Sequence, residues 1–117
     1  MNAPILLSLV LATGVPSSAE RLDFVPRQFQ GAWSVDRKRC EPSAASMVIR
    51  ARSLVLGGQE GRIRAVVAHG RFEAALIAEI PGRSPTRLWA RSFALARDET
   101  SLIDTTQSHP QIWFKCR

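Results

Sequence analysis

Apolar residues recur at every second position through most of the chain beyond residue 20, and that alternation predicts β-strands. Phe29, Gly31, Trp33 and Val35 share one face of a first strand within residues 28–36. Short apolar runs follow at 46–52 and 53–56. Gly57-Gly58-Gln59-Glu60-Gly61 then reads as a turn, suited to a hairpin with a bulge. Over residues 62–68, Ile63, Ala65 and Val67 are expected inward, with Arg62 and Arg64 outward. Beyond His69-Gly70, one face carries Phe72, Ala74, Leu76, Ala78 and Ile80, and the other carries Arg71, Glu73 and Glu79. Pro81-Gly82-Arg83-Ser84-Pro85 predicts a turn. Trp89, Phe93 and Leu95 share a face of residues 86–96. Short strands at 101–105 and 112–116 complete the pattern, separated by a polar loop that ends in His109-Pro110.

Strands at this spacing predict an all-β fold, a small antiparallel meander or barrel of about six to eight strands. Two Ala-rich stretches, 72–80 and 88–96, keep an α+β alternative open. Phe72, Leu76 and Ile80 fit a spacing of four as well as a period of two. Gly70 and Pro81-Gly82 bracket a run of hairpin length, and residues 62–68 offer it a partner, so strands are expected.

The first 19 residues break the pattern. Pro4-Ile5-Leu6-Leu7-Ser8-Leu9-Val10-Leu11-Ala12 is apolar and uncharged, and Ser17-Ser18-Ala19 follows with small residues before Glu20. That is the h-region and cleavage site of a signal peptide, although no Lys or Arg precedes the apolar run. The run falls short of the roughly 20 residues a transmembrane anchor needs. Residues 20–117 are therefore expected to form a single exported domain, periplasmic or secreted.

Export changes the meaning of the two cysteines. In an oxidising compartment Cys40 and Cys116 are expected to form a disulfide. A domain this small has a limited core, and a covalent staple compensates. The formal net charge is +6, and all cations except Lys38 and Lys115 are arginines. Guanidinium forks suit carboxylate and phosphate. An exported protein meets partner proteins, anionic lipid headgroups and acidic glycans rather than nucleic acid, so the expected partner is a protein or an anionic envelope component.

Catalysis needs a positioned acid, base, nucleophile or metal. His69 and His109 are the only histidines, and neither has another at ligand spacing. No H-E-x-x-H, C-x-x-C or G-x-S-x-G occurs, and the glycine turn has no phosphate-loop spacing. No catalytic residue, metal or cofactor is expected. Two weaker candidates remain. Arg62, Arg64 and Arg71 form an anion patch if the hairpin brings them together, although such a row is also the ordinary wet face of a strand. Trp89, Phe93 and Leu95 could line an apolar pocket, or simply fill the core. The expected function is thus a non-enzymatic binding module. A carrier of small hydrophobic ligands is the alternative, and an enzyme is the least favoured.

Phe29-x-Gly31-x-Trp33, a Cys some residues later, alternating central strands and a closing Phe114-Lys115-Cys116-Arg117 resemble small exported proteins of proteobacteria that end in an aromatic-x-Cys pattern. The resemblance implies an antiparallel barrel whose first and last strands lie close together, and it implies no activity. More loosely, Gly31-x-Trp33 followed by Cys40 is similar to the opening of periplasmic barrel inhibitors of secreted metalloproteases. In that family the segment before the barrel blocks the enzyme's cleft. Residues 20–27 hold that place here, so an inhibitor-like role is implied.

Overall fold

Most of the period-two runs fold as strands, and the strands follow one another around a ring. The computed structural model describes residues 19–41, 43, 45–81 and 87–117. The expected signal segment lies outside these residues apart from Ala19, and so does most of the turn expected after Pro81. The strands are β1 (Glu20–Leu22), β2 (Gly31–Ser34), β3 (Ser46–Ile49), β4 (Ser53–Leu56), β5 (Gln59–Ala68), β6 (Glu73–Ile80), β7 (Arg87–Leu95), β8 (Ser101–Asp104) and β9 (Gln111–Lys115). From β2 to β9 each strand pairs antiparallel with the next, and β9 returns to β2. The result is an eight-stranded up-and-down barrel, and β1 adds to β5 as a ninth strand. The fold is all-β. Both Ala-rich stretches are strands: β6 is bonded on both sides, and ladder pairing outweighs its helix propensity.

Three expectations change in detail. Residue 29 does not belong to the first strand. Arg27–Phe29 is a single turn of 3-10 helix, and the strand itself is Gly31–Ser34. Residues 20–27 are more than a lead-in, because β1 lies within them. In β5 the pairing with β6 slips between Ile63 and Ala65, leaving Arg64 as an extra residue. This bulge reverses the phase: Ile63 still packs on the core, but beyond it Val66 and Ala68 are buried instead of Ala65 and Val67.

The interior is filled. Phe29, Trp33, Met47, Ile49, Leu54, Leu76 and Leu102 are each at most 1% exposed. A barrel of eight strands is just wide enough for its own side chains, and this one follows that rule.

One end is plugged. The segment before β2 crosses the end that carries the β3–β4 and β5–β6 connections. The Val25 N–H donates to the Ala51 carbonyl at 2.9 Å, and the Gln28 side chain donates to the Arg71 carbonyl at 2.9 Å. Val25 and Phe29 thereby enter the core.

The cystine joins Cys40 to Cys116 across 76 positions. It lies outside the barrel wall. Trp33 pairs with Lys115 and Ser34 with Phe114, so Phe114 and Cys116 share the phase of Ser34, opposite to that of buried Trp33. The loop after β2 folds back over this wall. The Ser34 hydroxyl donates to the Arg39 carbonyl at 2.5 Å, and the Arg37 guanidinium stands 4.4 Å above the Phe114 ring. β2 and β9 meet over two residue pairs, extended by the Cys116 N–H donating to Ala32 at 2.8 Å.

Candidate functional site

At the far end of the barrel, where the β4–β5 and β6–β7 connections lie, no plug is formed among the described residues. A hollow of about 670 Å³ opens there between Leu56, Gln59, Ile80, Arg87, Trp89 and Arg91. Strand phase explains its chemistry. Along β7, Arg87, Trp89 and Arg91 share the phase of buried Phe93 and Leu95, and they stand opposite buried Ile80, Ala78 and Leu76. The row that fills the core therefore continues outward as two arginines around a tryptophan.

These side chains hold one another. Trp89 and Phe93 lie with ring centroids 6.2 Å apart, tilted by 38°. The Arg91 guanidinium is 5.3 Å from the Trp89 ring centroid, a cation–π contact. Its Nε is 3.3 Å from Asp104 Oδ2, and its Nη1 donates to the Ala90 carbonyl at 3.0 Å. The Asp104 side chain is only 12% exposed, and its Oδ1 accepts the Thr106 N–H at 2.9 Å. Arg91 is thus fixed in place. Arg87 has no ion-pair partner among the described residues.

The wall is also incomplete here. β7 pairs with β6 from Arg87 to Ala94, but with β8 only from Phe93 to Leu95. Past that point the Ser92 N–H donates to the Thr106 hydroxyl at 2.7 Å and the Ser92 carbonyl accepts the Thr105 N–H at 2.9 Å. Then the chain leaves, and residues 105–110 are all exposed. Among the described residues, no backbone pairs with the second edge of Arg87–Arg91.

The chain matches no protein-family model, no curated protein and no solved structure. The mouth must be read from its own chemistry.

The three arginines expected as an anion patch do not gather. Arg64 on β5 contacts Glu79 of β6 at 2.8 Å, whereas Arg71 lies past the far end of β5 and contacts Glu99 at 2.6 Å. Arg62 stands on β5 opposite Glu79. Both bonded arginines are more than half exposed, so each pair contributes at most about 1 kcal/mol. Of the expected apolar pocket, Phe93 and Leu95 are core at 2% and 5% exposure, and Trp89 alone of the three lines the hollow at the mouth. Residues 20–27 do not form a free arm: β1 pairs with β5, and Val25 is fully buried. His69 and His109 are both exposed. No group of three metal-binding side chains occurs among the described residues, nor any helix long and apolar enough to cross a membrane.

Arg87 and Arg91 escape a reading that looks only for apolar alternation. Their signal is phase. A charge at every second position, in register with Trp89, Phe93 and Leu95, marks where the inward row leaves the core. Asp104 gives the same signal two positions after buried Leu102.

Proposed function

We propose that this protein is a non-enzymatic exported binding module that engages its partner at the barrel mouth. The observation that carries the reading is the continuation of the core row of β7 into Arg87, Trp89 and Arg91 beside an open edge. Arginine and tryptophan are the residues that most often anchor protein interfaces. A half-buried tryptophan held by a neighbouring guanidinium is ordered before binding, which lowers the entropy cost of association. The cystine supports an oxidising compartment, periplasmic or secreted. An inhibitor-like role remains compatible with this reading, acting from the mouth because the segment before the barrel is docked.

A carrier of small hydrophobic ligands is less favoured, since Phe93, Leu95 and Trp33 fill the space such a ligand would need. Capture from envelope and secreted fractions by the immobilised protein tests the reading. A partner retained by wild type and lost by Trp89→Ala is expected. Equal retention by that variant would count against the mouth. Turnover of ester, peptide or phosphate substrates by the pure protein, abolished by His69→Ala or His109→Ala, would count against a non-enzymatic role.

A further inference from the structure

We infer that the open edge of β7 accepts an extended acidic segment of a partner protein as an added strand; the inference rests on the mouth being the binding surface. The first ground is hydrogen bonding. Ser92 turns both its N–H and its carbonyl toward the β8 side, whereas the Leu95 N–H turns the other way, to Phe72. Alternation along an antiparallel strand then directs the N–H and carbonyl of Ala90 and Leu88 to the same open side. Among the described residues, the only bond to reach them from a side chain is that of Arg91 to the Ala90 carbonyl. Leu88 is 70% exposed and Ala90 is exposed, and no strand among the described residues pairs with this edge. Unpaired strand edges are the template for strand addition.

The second ground is charge. A strand laid along Arg87–Arg91 places its own residues opposite Arg87, Trp89 and Arg91 on one face. Carboxylates opposite the arginines and an aliphatic side chain opposite the indole complete those pairs. The acceptable sequence is therefore acidic, any, apolar, any, acidic. An N–H of the added strand takes the Ala90 carbonyl and releases Nη1 of Arg91 for the carboxylate facing it. The same arginines disfavour a second copy of this chain. Antiparallel pairing of β7 with itself, centred on Trp89, sets Arg87 of each copy against Arg91 of the other, and like charges directly opposed are destabilising. The edge is thus guarded against itself and open to an acidic strand.

The test uses labelled synthetic peptides and fluorescence anisotropy. The probe carries Glu-Thr-Leu-Thr-Glu within a threonine-rich decapeptide. Its counterpart has lysine at both glutamate positions. Two further versions are N-methylated, each on one of the two alternating sets of amides. The glutamate probe is expected to bind and the lysine version to bind at least about tenfold more weakly. Methylation of one amide set should abolish binding and methylation of the other should leave it intact, because only one set faces β7. Ala90→Pro removes an N–H that has no partner among the described residues, and Arg87→Glu reverses a surface charge. Each should weaken the probe by about tenfold or more, with circular dichroism and melting temperature confirming the fold. Two methylated versions that bind alike, or a glutamate probe that does not bind, would overturn strand addition. In either case Trp89-dependent capture of an envelope partner would leave the mouth reading standing, whereas capture indifferent to Trp89→Ala would remove that reading itself.

Discussion

The Trp33 indole N–H donates to the Phe29 carbonyl at 3.0 Å, with both side chains out of contact with water. That bond ties the 3-10 turn to the first strand of the ring and holds the plug in its end of the barrel. Trp33→Phe keeps an aromatic ring but leaves a buried carbonyl short of its donor, and is expected to cost about 2 kcal/mol. Trp113 provides the contrast. Its indole nitrogen is buried and has no partner among the described residues. Trp113→Phe deletes an unsatisfied donor and should cost less than about 1 kcal/mol. Urea unfolding of the two variants side by side checks the difference; equal losses would refute the role assigned to the Trp33 bond.

Gly61 on β5 lies against the end of β6. A Cβ there would lie 2.7 Å from the Glu79 carbonyl oxygen and 3.3 Å from Ile80. The first contact is with backbone, which cannot swing aside. Gly61→Ala is expected to destabilise the barrel by about 1–3 kcal/mol. Gly58→Ala is the control for space, since its Cβ meets nothing within 4 Å and only the positive φ of +86° opposes it. A lower urea midpoint for Gly61→Ala, with no change in slope, is the expected result.

The cystine closes a long loop, and removing it should cost close to the loop-entropy value of about 4.5 kcal/mol, or less if the unfolded chain retains structure. Cys40→Ala with Cys116→Ala is expected to unfold at much lower urea than wild type in oxidising buffer. Reductant should bring wild type down to the variant and leave the variant unchanged. A variant as stable as the oxidised wild type would contradict the staple.

Asp98 closes the β7–β8 turn. Its carboxylate accepts the Thr100 N–H at 3.0 Å and the Thr100 hydroxyl at 2.8 Å. The backbone N–H first, then the hydroxyl, hold the carboxyl below its ordinary 3.8. A depressed carboxyl contributes stability above its unfolded value and loses that contribution as pH falls through its folded value. The loss therefore lies below about pH 3.8. Melting temperatures followed down from pH 5 should fall more steeply for wild type than for Asp98→Ala in that window. Parallel curves would show that the turn does not draw on this carboxylate.

How much was legible in the sequence depends on which residues could break a pattern. In β6 the polar residues Glu73 and Glu79 alternate against Ala74, Ala78 and Ile80, and the buried phase follows directly. The second half of β5 offers no such contrast. Ala65-Val66-Val67-Ala68 is apolar in both phases, so neither the slip at Arg64 nor the reversal it causes could be read. Phe29 has the parity of Trp33 and reached the core as expected, but through a turn whose geometry Pro26 and Gln30 do not announce. The pairing of Cys40 with Cys116 followed from compartment and count. The mouth was hidden because its arginines occupy positions where apolar residues were sought.

Joining β9 to β2 also sets the order of assembly. If the chain is exported as proposed, Cys40 leaves the membrane pore long before Cys116, and 76 positions of polypeptide separate them. Cys40 must wait as a free thiol through that interval, exposed to mixed disulfides with any oxidant it meets. Every hairpin from β3 to β8 can form meanwhile as an open ribbon. Closure is a late, non-local event, and such events are slow. A pulse of thiol-blocking reagent during export should therefore trap a species with its hairpins in place and its ring unclosed.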